Sequence, residues 1–195
     1  MKLIVGLGNP GDTYADSRHN IGFSVIKALS RRLKASLKRD RGTFSASARA
    51  QYAKQNLILA MPLTFMNLSG NAVKDLVKKY RIDLSNLLVV CDDLDLELAR
   101  IKIRPQGSSG GQRGLASVIG ALGSDKFARL RIGIGRPAKS GQASEYVLSA
   151  FTQKEKKELA PALKQALECC LDWVSDGVVK SMNVFNKRER NNDDE

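Results

Sequence analysis

The sequence contains one histidine, three cysteines and five prolines among its 195 residues, and only 6% of the residues are aromatic. A single histidine excludes a zinc site built from several histidines, and no metal is expected. The cysteines Cys91, Cys169 and Cys170 are odd in number and lack metal-motif spacing, which excludes a disulfide framework and fits a reducing cytoplasm. No apolar run approaches the ~18 residues of a membrane span, and no secretory signal opens the chain. We therefore expect a cytoplasmic chain without a membrane partner.

Positive charge is in large excess. The sequence has 32 lysines and arginines against 20 aspartates and glutamates, which gives a formal net charge of +12. Residues 27–54 and 100–139 each hold nine basic residues and one acidic residue, whereas acidic residues gather at 83–97 and 191–195. Such segregation favours a binding face for a polyanion, most often a nucleic acid. A basic surface without a specific partner is the alternative.

Strand-like and helix-like patterns alternate along the chain. Residues 2–7 are typical of a buried strand, and the apolar residues from Ile21 to Leu33 repeat at helical spacing. Residues 43–50 and 57–61 form a hairpin-like pair around a polar turn. This order predicts an α/β fold with a single three-layer domain, in which helices flank a mixed central β-sheet.

The C-terminal third contains the clearest helix boundaries. Residues 152–155 form a capping box, and the helical spacing that follows ends at Gly177. Pro161 lies inside this helix and should kink or restart it. We place the domain at residues 1–186 and a charged tail, expected to fray, at residues 187–195.

The first strand leads into Gly6-Leu7-Gly8-Asn9-Pro10-Gly11, which has the glycine spacing of a dinucleotide-binding turn. That turn also needs a helix at its second glycine and an acidic residue about 20 positions further on for the ribose. Helical spacing begins only at Ile21, and no Asp or Glu lies between Asp16 and Asp40. A nicotinamide enzyme is therefore only a third interpretation, and no cofactor is expected.

The lone histidine is a candidate catalytic base. His19 lies between Arg18 and Asn20, where the glycine-rich loop becomes a helix. A neutral imidazole accepts a proton at physiological pH, and a carboxylate that accepts from its N–H would orient it. Asp92, Asp93 and Asp95 are candidates because they follow an apolar strand, and α/β sheets place their sites at the carboxyl ends of strands. A structural histidine and a solvated or magnesium-binding acidic loop are the alternatives.

Two further segments present amide and basic side chains. Asn67 lies among apolar residues at a predicted helix start, where it would cap the helix or donate to a carbonyl oxygen and position a water. The glycine-rich segment 107–114 contains Arg113, which suits a phosphate, although a flexible loop is equally consistent. Residues 99–104 and 129–135 alternate basic and apolar side chains, as expected for half-buried strands with a basic face.

Together these segments resemble bacterial peptidyl-tRNA hydrolase, in order and over nearly the whole chain. The matching motifs are Gly6-Leu7-Gly8-Asn9-Pro10-Gly11 with Tyr14, Arg18-His19-Asn20-Ile21-Gly22, Pro62-Leu63-Thr64-Phe65-Met66-Asn67-Leu68-Ser69-Gly70, Asp92-Asp93-Leu94-Asp95-Leu96, the glycine loop, and Arg129-Leu130-Arg131-Ile132-Gly133-Ile134-Gly135-Arg136-Pro137. The resemblance implies a monomeric, metal-independent esterase that cleaves the ester between a peptide and the 3′-terminal ribose of tRNA. Its partner would be peptidyl-tRNA.

The resemblance also implies residue roles. His19 looks like the general base for water, Asp92 like the carboxylate that holds it, and Asn9 like the residue that distinguishes N-blocked from free aminoacyl-tRNA. Residues similar to those that bind the substrate or the 3′ end of the tRNA are Asn20, Tyr14, Phe65 and Asn67. Residues similar to the clamp for tRNA phosphates are Lys102, Arg104 and Arg131.

The glycine loop departs from the family pattern. The family commonly has Gly-Gly-His-Asn-Gly, whereas this chain has Gly110-Gly111-Gln112-Arg113-Gly114. Arg113 therefore replaces an asparagine that contacts the tRNA 3′ end, and we expect it to contact the substrate through a phosphate instead. A non-catalytic RNA-binding relative of this fold, of the splicing-cofactor type, is the main alternative function. The presence of His19, Asp92 and Asn9 favours the enzyme.

Overall fold

The computed structural model describes residues 1–137 and 141–187. In these residues the chain forms seven strands and six α-helices. The strands are β1 (Lys2–Gly6), β2 (Lys38–Asp40), β3 (Ser45–Tyr52), β4 (Gln55–Pro62), β5 (Leu87–Asp93), β6 (Ile101–Arg104) and β7 (Ala128–Gly133). The helices are α1 (Ile21–Arg32), α2 (Ser69–Tyr80), α3 (Arg113–Leu122), α4 (Ala143–Leu148), α5 (Gln153–Asp176) and α6 (Val178–Phe185).

All seven strands form one mixed sheet in the order β2-β3-β4-β1-β5-β7-β6. The four strands β4, β1, β5 and β7 run parallel, and β3, β2 and β6 are antiparallel to their neighbours. The predicted hairpin is formed by β3 and β4, which pair from Ser45↔Pro62 to Tyr52↔Gln55. The prediction of a mixed sheet is confirmed.

Helices cover both faces of the sheet, which confirms the three-layer arrangement. Alternation along β1 sends Ile4 to one face and Leu3 and Val5 to the other, and all three side chains are fully buried. On the Ile4 side the sheet packs against α1, α5 and α6, and on the other side it packs against α2 and α3. The two layers of apolar side chains account for the continuous hydrophobic runs of β1 and β5.

Pro161 does not divide its helix in two, so the predicted restart is wrong. Helix α5 runs from Gln153 to Asp176 and begins with the predicted capping box. A proline in a helix interior costs about 3 kcal/mol. Burial of Leu159, Ala162 and Ala166 along the same helix offsets this cost. The predicted tail lies, apart from Lys187, outside the described residues.

The parallel strands point their carboxyl ends towards one edge of the sheet. Strand β1 lies between β4 and β5, and the helices that follow β1 and β4, α1 and α2, cover opposite faces. Where the connections from two adjacent strands leave the sheet towards opposite faces, a crevice forms outside the carboxyl ends of those strands. The candidate site lies in this crevice.

Candidate active site

A cavity of about 800 Å³ opens at the carboxyl ends of β1 and β5. Seven of the eleven site residues predicted from the sequence line this cavity. The cavity wall contains Asn9, Tyr14, His19, Phe65, Asn67, Asp92 and Arg113. Asn20, Lys102, Arg104 and Arg131 are not part of this wall. The tertiary structure therefore gathers most, but not all, of the predicted residues into one pocket.

His19 and Asp92 form a buried pair. His19 lies in a short 3-10 turn, Arg18–Asn20, just before α1, and Asp92 is the second-last residue of β5. Nδ1 of His19 is 2.8 Å from Oδ2 of Asp92, and both residues are less than a tenth exposed. A carboxylate only accepts, so Nδ1 carries the proton and Nε2 of the neutral ring is the acceptor available to the cavity.

Gln112 holds the other oxygen of Asp92. Its Nε2 donates to Oδ1 of Asp92 at 2.9 Å, while its Oε1 accepts from the backbone N–H of Leu115 at 2.6 Å. From the sequence, Gln112 is only one member of the glycine loop. The feature of the sequence that could have indicated its role is an amide side chain just before a helix, at the position where the peptidyl-tRNA hydrolase family commonly has a histidine.

Asn9 presents an amide donor to the cavity. Its Oδ1 accepts from the backbone N–H of Met66 at 2.7 Å. Since a backbone N–H only donates, this contact fixes which end of the side chain is oxygen and leaves the Nδ2 group as a donor. Asn9 is buried and lines the cavity. The donor therefore faces the space that a substrate would occupy.

Asn20 does not line the cavity, and its substrate-binding role stays a prediction. Its Oδ1 accepts from the backbone N–H of Asn9 at 2.8 Å, and its Nδ2 donates to the backbone carbonyl of Asn9 at 2.9 Å. Both polar ends of this buried side chain are thus used within the protein. Asn20 holds the loop that carries Asn9.

The mouth of the cavity combines aromatic, amide and basic side chains. Phe65 is 56% exposed, and Asn67 and Arg113 are exposed beside it. Asn67 does not cap α2, because the residue that precedes this helix is Leu68 and no side chain caps it there. Its amide is therefore available to the cavity. The alternative prediction, that Asn67 donates to a carbonyl oxygen, is the one that remains. The cavity wall also contains the apolar residues Leu94, Pro137, Val147 and Leu148.

The glycines of the first loop serve packing. A Cβ atom at Gly6 would lie 2.1 Å from the backbone oxygen of Gly22, and one at Gly8 would lie 2.8 Å from the ring of Phe23. The next helix, α1, begins only at Ile21. The glycine spacing thus allows β1 and its loop to approach α1 closely, and it does not place a helix N-terminus at a pyrophosphate.

A second groove of about 340 Å³ adjoins the cavity along β6 and β7. Lys102 lies opposite Arg131, and Arg104 opposite Arg129, so that all four basic side chains share one face of the sheet, as predicted. Arg104 is exposed and Lys102 is partly exposed. These two residues supply the accessible positive charge of the groove.

Arg131 is not a free cation, and its place in a phosphate clamp stays a prediction. Its Nη1 pairs with Oδ2 of Asp93 at 2.9 Å, and its Nη2 donates to the carbonyl of Ser108 at 2.7 Å. Its side chain is only 13% exposed. Arg131 therefore attaches the glycine loop to the end of β5, and its charge is compensated.

Arg18 fastens the segment that precedes His19 to α5. Its guanidinium forms two hydrogen bonds to Glu155, at 2.8 and 2.9 Å, and lies over the rings of Tyr146 and Phe151. The hydrogen bonds from Arg18 are the main reason why the pKa of Glu155 falls to about 2. The same carboxylate completes the capping box of α5. This contact joins the turn that carries His19 to the apolar wall of the cavity.

Cys91 is adjacent to Asp92 but cannot act as a nucleophile. The side chain is completely buried, and this burial raises the pKa of the thiol to about 12. A thiol in this state is not the reactive thiolate at neutral pH. Among residues 1–137 and 141–187, no group of three or more His, Cys, Asp or Glu side chains is arranged to hold a metal ion. Within the same residues, no helix has the length and apolar character needed to cross a membrane.

Comparison with known proteins identifies the family. The chain matches the family model described as peptidyl-tRNA hydrolase over residues 3–193. A peptidyl-tRNA hydrolase from Sulfurihydrogenibium sp. is 46% identical over 187 residues, 96% of this chain and 98% of the relative, and one from Geobacillus kaustophilus is 44% identical over 96% and 100%. A crystal structure of peptidyl-tRNA hydrolase from Acinetobacter baumannii has a TM-score of 0.90 at 34% identity, over 95% of this chain and 94% of that chain. The chain belongs to the peptidyl-tRNA hydrolase family.

Proposed function

We propose that the chain hydrolyses the ester bond of peptidyl-tRNA with His19 as the general base, Asp92 as its orienting carboxylate and Asn9 as a peptide-binding amide. The observation that carries this proposal is the 2.8 Å contact between Nδ1 of His19 and Asp92 at the wall of the cavity. It leaves Nε2 as the proton acceptor. Membership of the family supplies the substrate class.

The reaction needs one base and no covalent intermediate. Nε2 of His19 takes a proton from water as the water oxygen bonds to the ester carbonyl carbon, and the carbonyl oxygen becomes an oxyanion. The amide of Asn67 is the donor we assign to this oxyanion. When the C–O bond to the ribose breaks, the imidazolium returns the proton to the leaving 3′ oxygen. The products are a peptide with a free carboxyl group and a tRNA with a free 3′ hydroxyl.

Asp92 stabilises the imidazolium that forms during this sequence. A carboxylate that accepts from Nδ1 keeps the ring in the tautomer with a free Nε2 and interacts more strongly with the charged ring. Phe65 and Tyr14 offer aromatic surfaces on which bases of the tRNA 3′ end would stack. Arg113 supplies a cation at the same mouth.

The decisive experiment is release of the acyl group from purified N-acetylaminoacyl-tRNA, with free aminoacyl-tRNA as the comparison. We expect rapid release from the first substrate and much slower release from the second. A protein that binds both tRNAs but hydrolyses neither would instead support the non-catalytic RNA-binding function. We further propose that the enzyme acts as a monomer in the cytoplasm, where its substrate arises in translation.

Replacing Asn9 by aspartate should narrow the preference for N-blocked substrate. The new carboxylate still accepts from Met66, so the loop is retained, but the donor becomes an acceptor that repels an acyl carbonyl oxygen and attracts a free α-ammonium group. We expect the ratio of the two kcat/KM values to fall by about tenfold or more. Asn56→Asp, at the amino end of β4, is the matched control. Equal losses on both substrates would contradict this role.

Replacing Arg104 by alanine should raise KM for full-length tRNA about tenfold, with little change in kcat. A phosphate contact far from the ester binds the ground state and the transition state equally. The slope of log affinity against log salt should flatten by about one unit or less. Arg39→Ala, an exposed arginine on the opposite edge strand, is the control. A KM for full-length tRNA that does not change at any salt concentration would remove Arg104 from the binding face.

A further inference from the structure

Gln112 connects the glycine loop to the catalytic pair. It is only 7% exposed and directly precedes α3. Its Oε1 accepts from the N–H of Leu115, and its Nε2 lies 2.9 Å from Oδ1 of Asp92 and 3.3 Å from the sulfur of Met66. The side chain therefore reaches from the start of α3 to the end of β5.

The direction of the Gln112 amide is fixed by its partners. The N–H of Leu115 only donates, so it must face the oxygen of the amide, and the NH₂ group must then face Asp92. Its polar atoms all have partners within the protein. The amide of Gln112 is thus hydrogen-bonded within the protein, although the residue lines the substrate cavity.

We propose that Gln112 is a positioning residue that keeps the Asp92 carboxylate aligned with His19. The terminal torsion of an aspartate is broad, so a carboxylate held by one hydrogen bond can rotate. In this chain one oxygen, Oδ2, meets His19 and the other, Oδ1, meets Gln112, which fixes the plane of the carboxylate. The alignment keeps the proton of His19 on Nδ1 and leaves Nε2 free. The inference rests on the proposed role of His19 in hydrolysis.

Charged side chains around the His19–Asp92 pair do not replace the hydrogen bond from Gln112 to Asp92. Asp93 is paired with Arg131, and Asp95 with Arg136. Arg18 is paired with Glu155 on the α5 side. The remaining charged side chain of the cavity wall, Arg113, is exposed at its mouth. Gln112 is accordingly the donor that determines the orientation of Oδ1 within the described residues.

Two substitutions separate alignment of Asp92 from capping of α3. Gln112→Glu keeps an oxygen for the N–H of Leu115 but, once ionised, has no proton to donate to Asp92. Gln112→Met has a similar length and loses both contacts. Ser117→Ala is the matched control, since Ser117 also links α3 to a neighbouring element, through the N–H of Gly70, without contacting Asp92.

The readout is the tautomer of His19, measured by ¹⁵N NMR at pH 8.5 on protein labelled at histidine. The chain has one histidine, so the imidazole signals need no assignment. We expect the population protonated at Nδ1 to fall in both Gln112 variants, and kcat to fall about tenfold to a hundredfold with KM within about twofold. Ser117→Ala should match the wild type in both measurements.

The outcomes distinguish this inference from the proposed function. If Gln112→Glu retains the wild-type tautomer and kcat while Gln112→Met does not, Gln112 only caps α3 and the inference is wrong. An unchanged tautomer in both variants would overturn it as well. If the wild-type protein fails to hydrolyse N-acetylaminoacyl-tRNA, the proposed function fails, yet the tautomer measurement still decides whether Gln112 aligns Asp92.

Discussion

Replacing His19 by alanine is expected to lower kcat by about 10²–10⁴, the usual contribution of a general base, and to leave KM within about twofold. Water then has no positioned acceptor for its proton, because the described residues provide no second imidazole. The aromatic and basic groups at the cavity mouth are untouched, so tRNA should still bind. Single-turnover hydrolysis of N-acetylaminoacyl-tRNA and tRNA binding at matched salt measure the two effects.

Loss of the imidazole also leaves the buried carboxylate of Asp92 without one of its partners, which by itself destabilises the protein. His19→Asn is therefore the matched variant, since its amide NH₂ restores a donor near Asp92 without a base of suitable pKa. Both variants should be equally inactive, and the melting temperature of His19→Asn should be higher than that of His19→Ala. Turnover within a few-fold of wild type in either variant would exclude His19 as the base.

Replacing Arg18 by methionine is expected to destabilise the fold by about 2–3 kcal/mol at pH 7, somewhat less than the about 3–5 kcal/mol for breaking a fully buried ion pair, because Glu155 is partly exposed. In a chain of this length, that loss corresponds to a melting temperature lower by about 4–12 °C. Methionine keeps an apolar stem between Tyr146 and Phe151. The change therefore removes chiefly the charge and the two hydrogen bonds to Glu155.

The destabilisation by Arg18→Met should depend on pH. Because the pKa of Glu155 is lowered in the folded protein to about 2, from an ordinary value of 4.5, the ion pair contributes fully above pH 4.5 and is lost as the pH falls towards 2. The difference between wild type and variant should thus shrink between pH 5 and pH 2. Lys180→Met, which breaks the exposed pair with Asp176, should leave the melting temperature unchanged at every pH.

The sequence by itself determined the class of fold and the central pair of the site. Alternation and helical spacing are local properties, so they predicted β1, the β3–β4 hairpin and α1 at close to their observed bounds. The carboxyl end of an apolar strand placed Asp92, Asp93 and Asp95 among the candidate partners of His19, and the family resemblance selected Asp92, which the structure pairs with His19. Helices without a strong local pattern, such as α6, were not predicted.

Only the tertiary structure decided which polar side chains face the substrate and which are used within the protein. Alternation predicted that Arg104 and Arg131 share a face, but not that Asp93 neutralises Arg131. Likewise, Asn20 and Gln112 are each bound by residues of other segments. The physical reason is that a hydrogen bond or an ion pair depends on a partner that folding brings near from a distant part of the chain. Residue type and spacing indicate which groups a side chain can bind. The fold determines whether its polar atoms are already bonded to other residues of the protein.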